Sequence, residues 1–138
     1  MATILVCTRR GDMLAELAPL LWGEHRVAIV PHMADAVRSL LLSRFDAVAL
    51  DLDEESVEGL EILSVVGQLD PRLPTLVVSG PLSLEAEAGI RAAGICGLLL
   101  RPLTPGELER HLTALLRWRS TEARGSPRQT EANAAAAR

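Results

Sequence analysis

The sequence contains very few aromatic residues. Its 138 residues include no tyrosine, one phenylalanine and two tryptophans, whereas 49% of the chain is hydrophobic. Stacking on nucleic-acid bases needs exposed rings on a basic surface, and the net charge of −4 also disfavours a phosphate-backbone partner. The composition therefore argues against a nucleic-acid-binding domain and favours a small domain with an aliphatic core.

Cysteine is also scarce, since Cys7 and Cys96 are the only two in the sequence. They provide neither a disulfide framework nor a zinc site, and we expect both to be buried, reduced thiols. The three histidines, His25, His32 and His111, have no metal-ligand spacing and are expected at the surface. No apolar run reaches the roughly 18–20 residues of a membrane span, and the N-terminus lacks a signal-peptide pattern. We predict a cytoplasmic protein without membrane contact.

Short apolar runs alternate with amphipathic stretches along residues 3–119. The apolar runs predict strands at 3–8, 26–30, 46–51, 74–80 and 97–101. The amphipathic stretches predict helices at 12–23, 33–44, 57–69, 82–94 and 104–120. Asp12, Ser83 and Thr104 are the predicted N-caps of three of these helices, Gly94 ends one of them, and Pro19 interrupts the first.

This alternation predicts an α/β domain over residues 1–119. We expect a doubly wound five-stranded parallel sheet in the flavodoxin-like order 2-1-3-4-5, with helices on both faces. Residues 120–138 lack apolar periodicity and are predicted to be a disordered tail or the start of a linker. Because this fold supports many unrelated functions, the function has to be inferred from the site.

In such folds ligands bind at the carboxyl ends of the parallel strands. The stretch DAVALDLDEESVEGLEIL (46–63) ends a strand on Asp51 and places Gly59 eight residues later. TLVVSG (75–80) ends on Ser79 and a small residue, and AAGICGLLLRP (92–102) places Arg101 before a proline. Together these stretches resemble the receiver domains of response regulators, and the resemblance extends over residues 3–119.

The resemblance implies a role for each of these positions. In the receiver family an aspartate, here Asp51, accepts a phosphoryl group from a histidine kinase, and a Thr or Ser, here Ser79, hydrogen-bonds that group. Mg²⁺ is held by two acids after the first strand, by the phosphoacceptor and by a backbone carbonyl two residues beyond it, here that of Asp53. Arg101 stands at the position of the family's lysine, and Leu98 at that of its aromatic switch residue.

The first strand departs from the family pattern. ILVCTRRGD (4–12) places Thr8 and Arg9 where the acid pair belongs. Mg²⁺ prefers near-octahedral oxygen ligands, and an arginine repels it, so we expect no cofactor and no ordinary Mg²⁺ binding. Oxygens from Asp53 and Glu54 remain an alternative way to hold a metal. Leu98 has no ring to swing between two positions.

The two arginines suggest a substitute for the missing metal. We expect Arg9 and Arg101 to flank Asp51, with one or both in an ion pair that lowers the pKa of the aspartate. The alternative, in which Arg9 faces solvent and only Arg101 approaches Asp51, stays open at this point.

We therefore predict a receiver-like, non-enzymatic domain of two-component (phosphorelay) signal transduction. It would act through protein–protein contacts, with a histidine kinase or an effector domain as the predicted partner, and without ordinary phosphorylation. The surface of the fourth helix, fifth strand and fifth helix is a candidate homodimer interface. Two alternatives remain: a receiver phosphorylated on Asp51 with an unusual metal site or no metal, and a flavodoxin-like domain that binds a small molecule.

Overall fold

The computed structural model describes residues 2–17, 23, 25–52 and 57–124. The strands are β1 (Thr3–Cys7), β2 (Arg26–Val30), β3 (Ala47–Leu52), β4 (Thr75–Ser79) and β5 (Gly97–Leu100). The helices are α1 (Gly11–Glu16), α2 (Met33–Leu42), α3 (Val57–Leu69), α4 (Leu84–Ala92) and α5 (Glu107–Arg124). The strands pair in parallel in the order β2-β1-β3-β4-β5, which confirms the predicted sheet.

Successive side chains of each strand point to opposite faces of the sheet, so the sheet builds two cores. On one face the strands pack against α2, α3 and α4, through buried residues that include Leu5, Leu50, Val77, Ala36, Val66 and Ile90. On the other face they pack against α1 and α5, through residues that include Val6, Ala49, Val78, Met13, Leu108 and Leu112. Helices therefore lie on both faces, as the alternating sequence pattern predicts.

The predicted boundaries of α4 are supported by its end contacts. Ser83 is the N-cap, because its hydroxyl accepts a hydrogen bond from the backbone N–H of Ala86 at 3.1 Å. Gly94, just beyond the helix, has φ of +85°, a conformation that a residue with a Cβ rarely adopts. Both roles were predicted from the sequence.

The first helix begins one residue earlier than predicted. Arg10 is its N-cap and the helix starts at Gly11, so Asp12 lies in the first turn and is not the N-cap. A carboxylate in the first turn still interacts favourably with the positive end of the helix dipole. Residues 18–22, which include Pro19, lie outside the described residues.

The last helix differs from the prediction at both ends. It begins at Glu107 and not near Thr104, because Gly106 between them has φ of +78°, which a right-handed helix does not admit. The backbone N–H of Thr104 donates to Oε1 of Glu107 at 2.9 Å, which is one half of a capping box. The helix continues to Arg124, which corrects its predicted end at residue 120. The tail assignment remains a prediction for residues 125–138, which lie outside the described part of the chain.

The two cysteines differ in exposure. Cys7 in β1 is 2% exposed, as predicted, whereas Cys96 is exposed, so its predicted burial is wrong. Cys96 lies in the turn before β5, where its backbone N–H donates to the carbonyl of Thr75 and its side chain is outside the core. In the part of the chain that the structure describes, no helix is long and apolar enough to cross a membrane.

Candidate functional site at the carboxyl end of the sheet

Asp51 lies next to last in β3, the central strand. It is paired in register with Val78 of β4, and the preceding residue, Leu50, is paired with Cys7 of β1. The run of apolar residues before Asp51 is fully buried on both faces, so the strand carries the aspartate into the protein and not to its surface. The side chain of Asp51 is 0% exposed, and its carboxylate therefore depends on protein partners to replace water.

Arg101 supplies one of these partners. Its Nη2 forms an ion pair with Oδ1 of Asp51, and the arginine side chain is only 10% exposed. The backbone N–H of Arg101 donates to the carbonyl of Ser79 at 2.8 Å, which extends the pairing of β4 and β5 by one residue and places the arginine beside Asp51. Breaking a buried ion pair of this kind strongly destabilises the folded protein, because the remaining charge is buried without an opposite charge beside it.

Thr8 supplies the second partner. Its hydroxyl donates to Oδ2 of Asp51 at 2.7 Å and accepts the backbone N–H of Arg10 at 3.0 Å. Since a threonine hydroxyl has one proton, accepting from Arg10 leaves that proton free for the carboxylate. Thr8 is itself buried, at 5% exposure. Asp51 therefore has a cation on one oxygen and a hydroxyl donor on the other.

The two arginines that follow Thr8 occupy different environments from Arg101. Both Arg9 and Arg10 are exposed. Arg10 pairs with Asp12 through Nε to Oδ1 at 3.0 Å and Nη2 to Oδ2 at 3.2 Å. Of the two arginines expected beside Asp51, Arg101 makes the described ion pair.

Electrostatics at the site follow from this arrangement. Burial, and then the positive charge of Arg10, lower the pKa of Arg101, while Asp12 partly offsets the effect. A guanidinium stays protonated near neutral pH, so the lowered pKa expresses a cost of holding this cation inside the protein. The hydrogen bond from the Arg10 side chain lowers the pKa of Asp12.

The remaining predicted positions are divided between the site edge and the core. Ser79 is the last residue of β4, the strand next to the one that contains Asp51, and it is 2% exposed. Its backbone carbonyl accepts the hydrogen bond from the backbone N–H of Arg101. Leu98 is half-buried in β5, where it packs against the core that faces α2, α3 and α4. Asp53 and Glu54 lie outside the described residues.

Mg²⁺ does not fit the described side chains around Asp51. A divalent cation would need several oxygen ligands, but Thr8 directs its proton at the carboxylate and Arg101 already places a positive charge there. Among the residues that the structure describes, no three His, Cys, Asp or Glu side chains are grouped so as to hold a metal ion.

Sequence reasoning identified Thr8 as a lost acid position but missed its hydrogen bond to Asp51. The register could have indicated it, because β1 lies beside β3 and the residue after Cys7 comes opposite the residue after Leu50. The role of the Arg10 backbone in orienting the Thr8 hydroxyl leaves no signal in the sequence, since any residue except proline supplies that N–H.

Comparison with known proteins supports the fold. No protein-family model matches the chain. Transcriptional regulatory protein PrrA of Mycobacterium tuberculosis is 30% identical over 124 residues, which cover 89% of this chain and 53% of PrrA. A CheY-like response regulator receiver domain protein from Methanospirillum hungatei JF-1 superposes with a TM-score of 0.79 at 21% identity, covering 88% of this chain and 98% of that one. The chain thus resembles response regulators in sequence and has the fold of their receiver domains.

Two further observations concern the length of PrrA and the names of proteins that share this fold. The chain spans about half the length of PrrA. A protein from Burkholderia pseudomallei K96243 described as related to pilus assembly superposes on the receiver domain with a TM-score of 0.69 at 28% identity, covering 85% of this chain and 90% of that one. The receiver fold is thus shared with proteins whose names indicate different outputs.

Proposed function

We propose that this receiver domain works in two-component signalling through protein–protein contacts, without Mg²⁺-dependent phosphorylation of Asp51. The observation that carries the proposal is the hydrogen bond from Thr8 to Oδ2 of Asp51, 2.7 Å long. Phosphoryl transfer depends on positioning and on neutralising the charge of the transferred group. Here the cation and the hydrogen-bond donor are applied to the carboxylate itself, which would have to act as the nucleophile.

Arg101 supports the proposal less strongly than Thr8 does. The sequence contains no lysine, and all of its basic residues apart from histidine are arginine. An arginine at the family's lysine position therefore follows the general composition of this chain. Thr8 has no such explanation, because aspartate and glutamate together occur 18 times in the sequence.

Acetyl phosphate labelling tests the proposal directly. The wild-type domain would be incubated with acetyl phosphate and Mg²⁺ and its intact mass measured, beside the variant Thr8→Asp/Arg9→Asp/Arg101→Lys. We expect no phosphoryl adduct on the wild type and one adduct on the triple variant, lost when Asp51→Asn is added. Because the wild-type sequence has no lysine, acetylation of side-chain amines cannot obscure its mass spectrum.

The second candidate function is a receiver that is phosphorylated on Asp51 with an unusual metal site or none. The retention of an aspartate at the end of β3, beside a hydroxyl residue at the end of β4, favours it. A wild-type adduct that disappears in Asp51→Asn would establish this function and contradict the first. Repeating the reaction with a chelator would then show whether a metal takes part.

For the partner, we propose a second copy of this domain bound through α4, β5 and α5. Leu84 at the start of α4 is 86% exposed and Leu100 at the end of β5 is 45% exposed. Acidic Glu85 on α4 and basic Arg110 on α5 are both exposed, and a two-fold axis can place an acidic and a basic group opposite each other.

Light scattering during gel filtration, over a range of protein concentrations, tests this dimer. A wild-type dimer that Leu84→Asp converts to a monomer is expected. A monomer at every concentration would contradict the proposal and leave a kinase or an effector domain as the partner of this face.

A further inference from the structure

Glu16 contacts a residue that lies far from it in the sequence. Its Oε2 accepts a hydrogen bond from the backbone N–H of Gly106 at 3.3 Å, across 90 positions of sequence. Gly106 is the residue immediately before α5, and Glu16 is the last residue of α1. A carboxylate at this place is also favoured by the positive end of the α5 dipole.

The segment that Glu16 contacts is the loop that presents Arg101. This loop, residues 101–106, leaves the sheet at Arg101 and enters α5 after Gly106. Its first residue is fixed by the ion pair with Asp51 and by the backbone hydrogen bond to Ser79. Its middle is fixed by Leu103, which packs against the core face that contains Met13 of α1. Glu16 is thus a polar attachment at the far end of the same loop.

We propose that Glu16 is a positioning residue that holds the loop 101–106 against α1 and so keeps Arg101 on Asp51. The role of the ion pair itself rests on the proposed function. Without the Glu16 acceptor, the N–H of Gly106 loses its described partner. The loop then keeps its contacts at Arg101 and Leu103 and its hydrogen bonds to α5 from Thr104 and Pro105, but it loses the described hydrogen bond to α1. The loop, and with it the buried guanidinium, then opens more often to solvent.

Exchange of the Arg101 Nε proton with water, followed by ¹⁵N NMR, measures this opening. Glu16→Met removes the acceptor but keeps the length of the side chain, and Glu16→Gln keeps an acceptor oxygen. Loss of a typical hydrogen bond corresponds to an increase in exchange of about fivefold for Glu16→Met, with Glu16→Gln close to wild type. Glu61→Met on α3, where Glu61 is exposed, is the matched control and should leave the rate unchanged.

The backbone amides of Leu50 and Val78 separate local opening from general destabilisation. Both residues lie in the central strands and are 0% exposed, so their exchange reports opening of the whole domain. We expect Glu16→Met to accelerate Arg101 exchange more than that of these amides. An unchanged Arg101 rate, an equal acceleration of all three signals, or a Glu16→Gln effect as large as that of Glu16→Met would each overturn the proposal.

The result is independent of the labelling experiment. If Asp51 of the wild type accepts a phosphoryl group, the proposed function fails while the exchange measurement still decides the role of Glu16. If Glu16→Met changes nothing and the wild type remains unlabelled, only the positioning role fails.

Discussion

The replacement of Arg101 by alanine tests whether the ion pair with Asp51 is a desolvated interaction. The side chain of Asp51 is 0% exposed and would retain the Thr8 hydroxyl as its described partner. The protein would have to bury an uncompensated charge or protonate the carboxyl. Protonation at about pH 7 of a group with an ordinary pKa of about 3.9 costs about 4 kcal/mol, which sets a ceiling on the loss. We therefore expect Arg101→Ala to lower the free energy of unfolding by about 3–4 kcal/mol near neutral pH.

The stability that Arg101→Ala loses should depend on pH. Without the cation, burial raises the folded-state pKa of Asp51 above its unfolded value. The stability that goes with a raised pKa is present at low pH and is lost as the pH rises. The deficit of Arg101→Ala relative to wild type should therefore shrink to about 1 kcal/mol or less near pH 4. Urea unfolding followed by circular dichroism across this range measures both values.

Arg91→Ala is the matched control, because Arg91 pairs with Glu87 on the exposed side of α4 at 3.2 Å with its side chain 57% exposed. An exposed pair of this type contributes about 0.3–0.5 kcal/mol. The neutral double variant Asp51→Leu/Arg101→Met should recover most of the stability that Arg101→Ala loses. If Arg101→Ala costs no more than Arg91→Ala and shows no pH dependence, the reasoning is refuted.

Three further predictions concern contacts outside the ion pair. Asp46→Ala removes the acceptor of the Thr3 backbone N–H, which lies at 2.8 Å, and should lower the free energy of unfolding by about 1–2 kcal/mol in urea denaturation; Asp46→Asn, which keeps an oxygen, should cost less. NMR titration should find the pKa of Asp12 below its ordinary value, mainly because of the hydrogen bond from Arg10. The stabilisation that goes with this lowered pKa is present above the unfolded pKa of Asp12 and is lost as the pH falls through the folded one, and Arg10→Ala should reduce the shift. Leu112→Ala empties a fully buried position on α5 and should cost about 2–5 kcal/mol of unfolding free energy, whereas a loss below about 1 kcal/mol would mean that the helix packs less closely than described.

The sheet was predictable from the sequence because the pattern that predicts each strand is short and recurs along the chain. Five short apolar runs, each followed by a helical pattern, leave few topologies once crossovers are right-handed. The termini of α4 were equally predictable from the sequence. Ser83 caps a backbone N–H three residues away, and Gly94 ends the helix through its own backbone conformation. The start of α5 was misjudged because a capping-box pattern at Thr104 and Glu107 says nothing about the positive φ of Gly106 between them.

The candidate site was predictable in position but not in its contacts. The strand ends place Thr8, Asp51 and Arg101 at the same edge of the sheet, which follows from parallel pairing alone. The ion pair of Arg101 with Asp51 depends on side-chain packing, because it leaves only 10% of the arginine side chain exposed. The contact of Glu16 with Gly106 joins residues from opposite ends of the chain and has no sequence pattern of its own.

The length of α5 has a mechanical consequence. The helix has 18 residues, which at 1.5 Å of rise per residue make it about 27 Å long, whereas the five-residue strand β4 extends over only about 17 Å. The helix begins at Glu107, directly after the loop that holds Arg101, so this end acts as a pivot. A tilt of about 10° there would displace the far end at Arg124 by roughly 5 Å. The helix is in this sense a lever, which converts a change at the pivot too small to disturb the core into a displacement that a neighbouring protein surface could register.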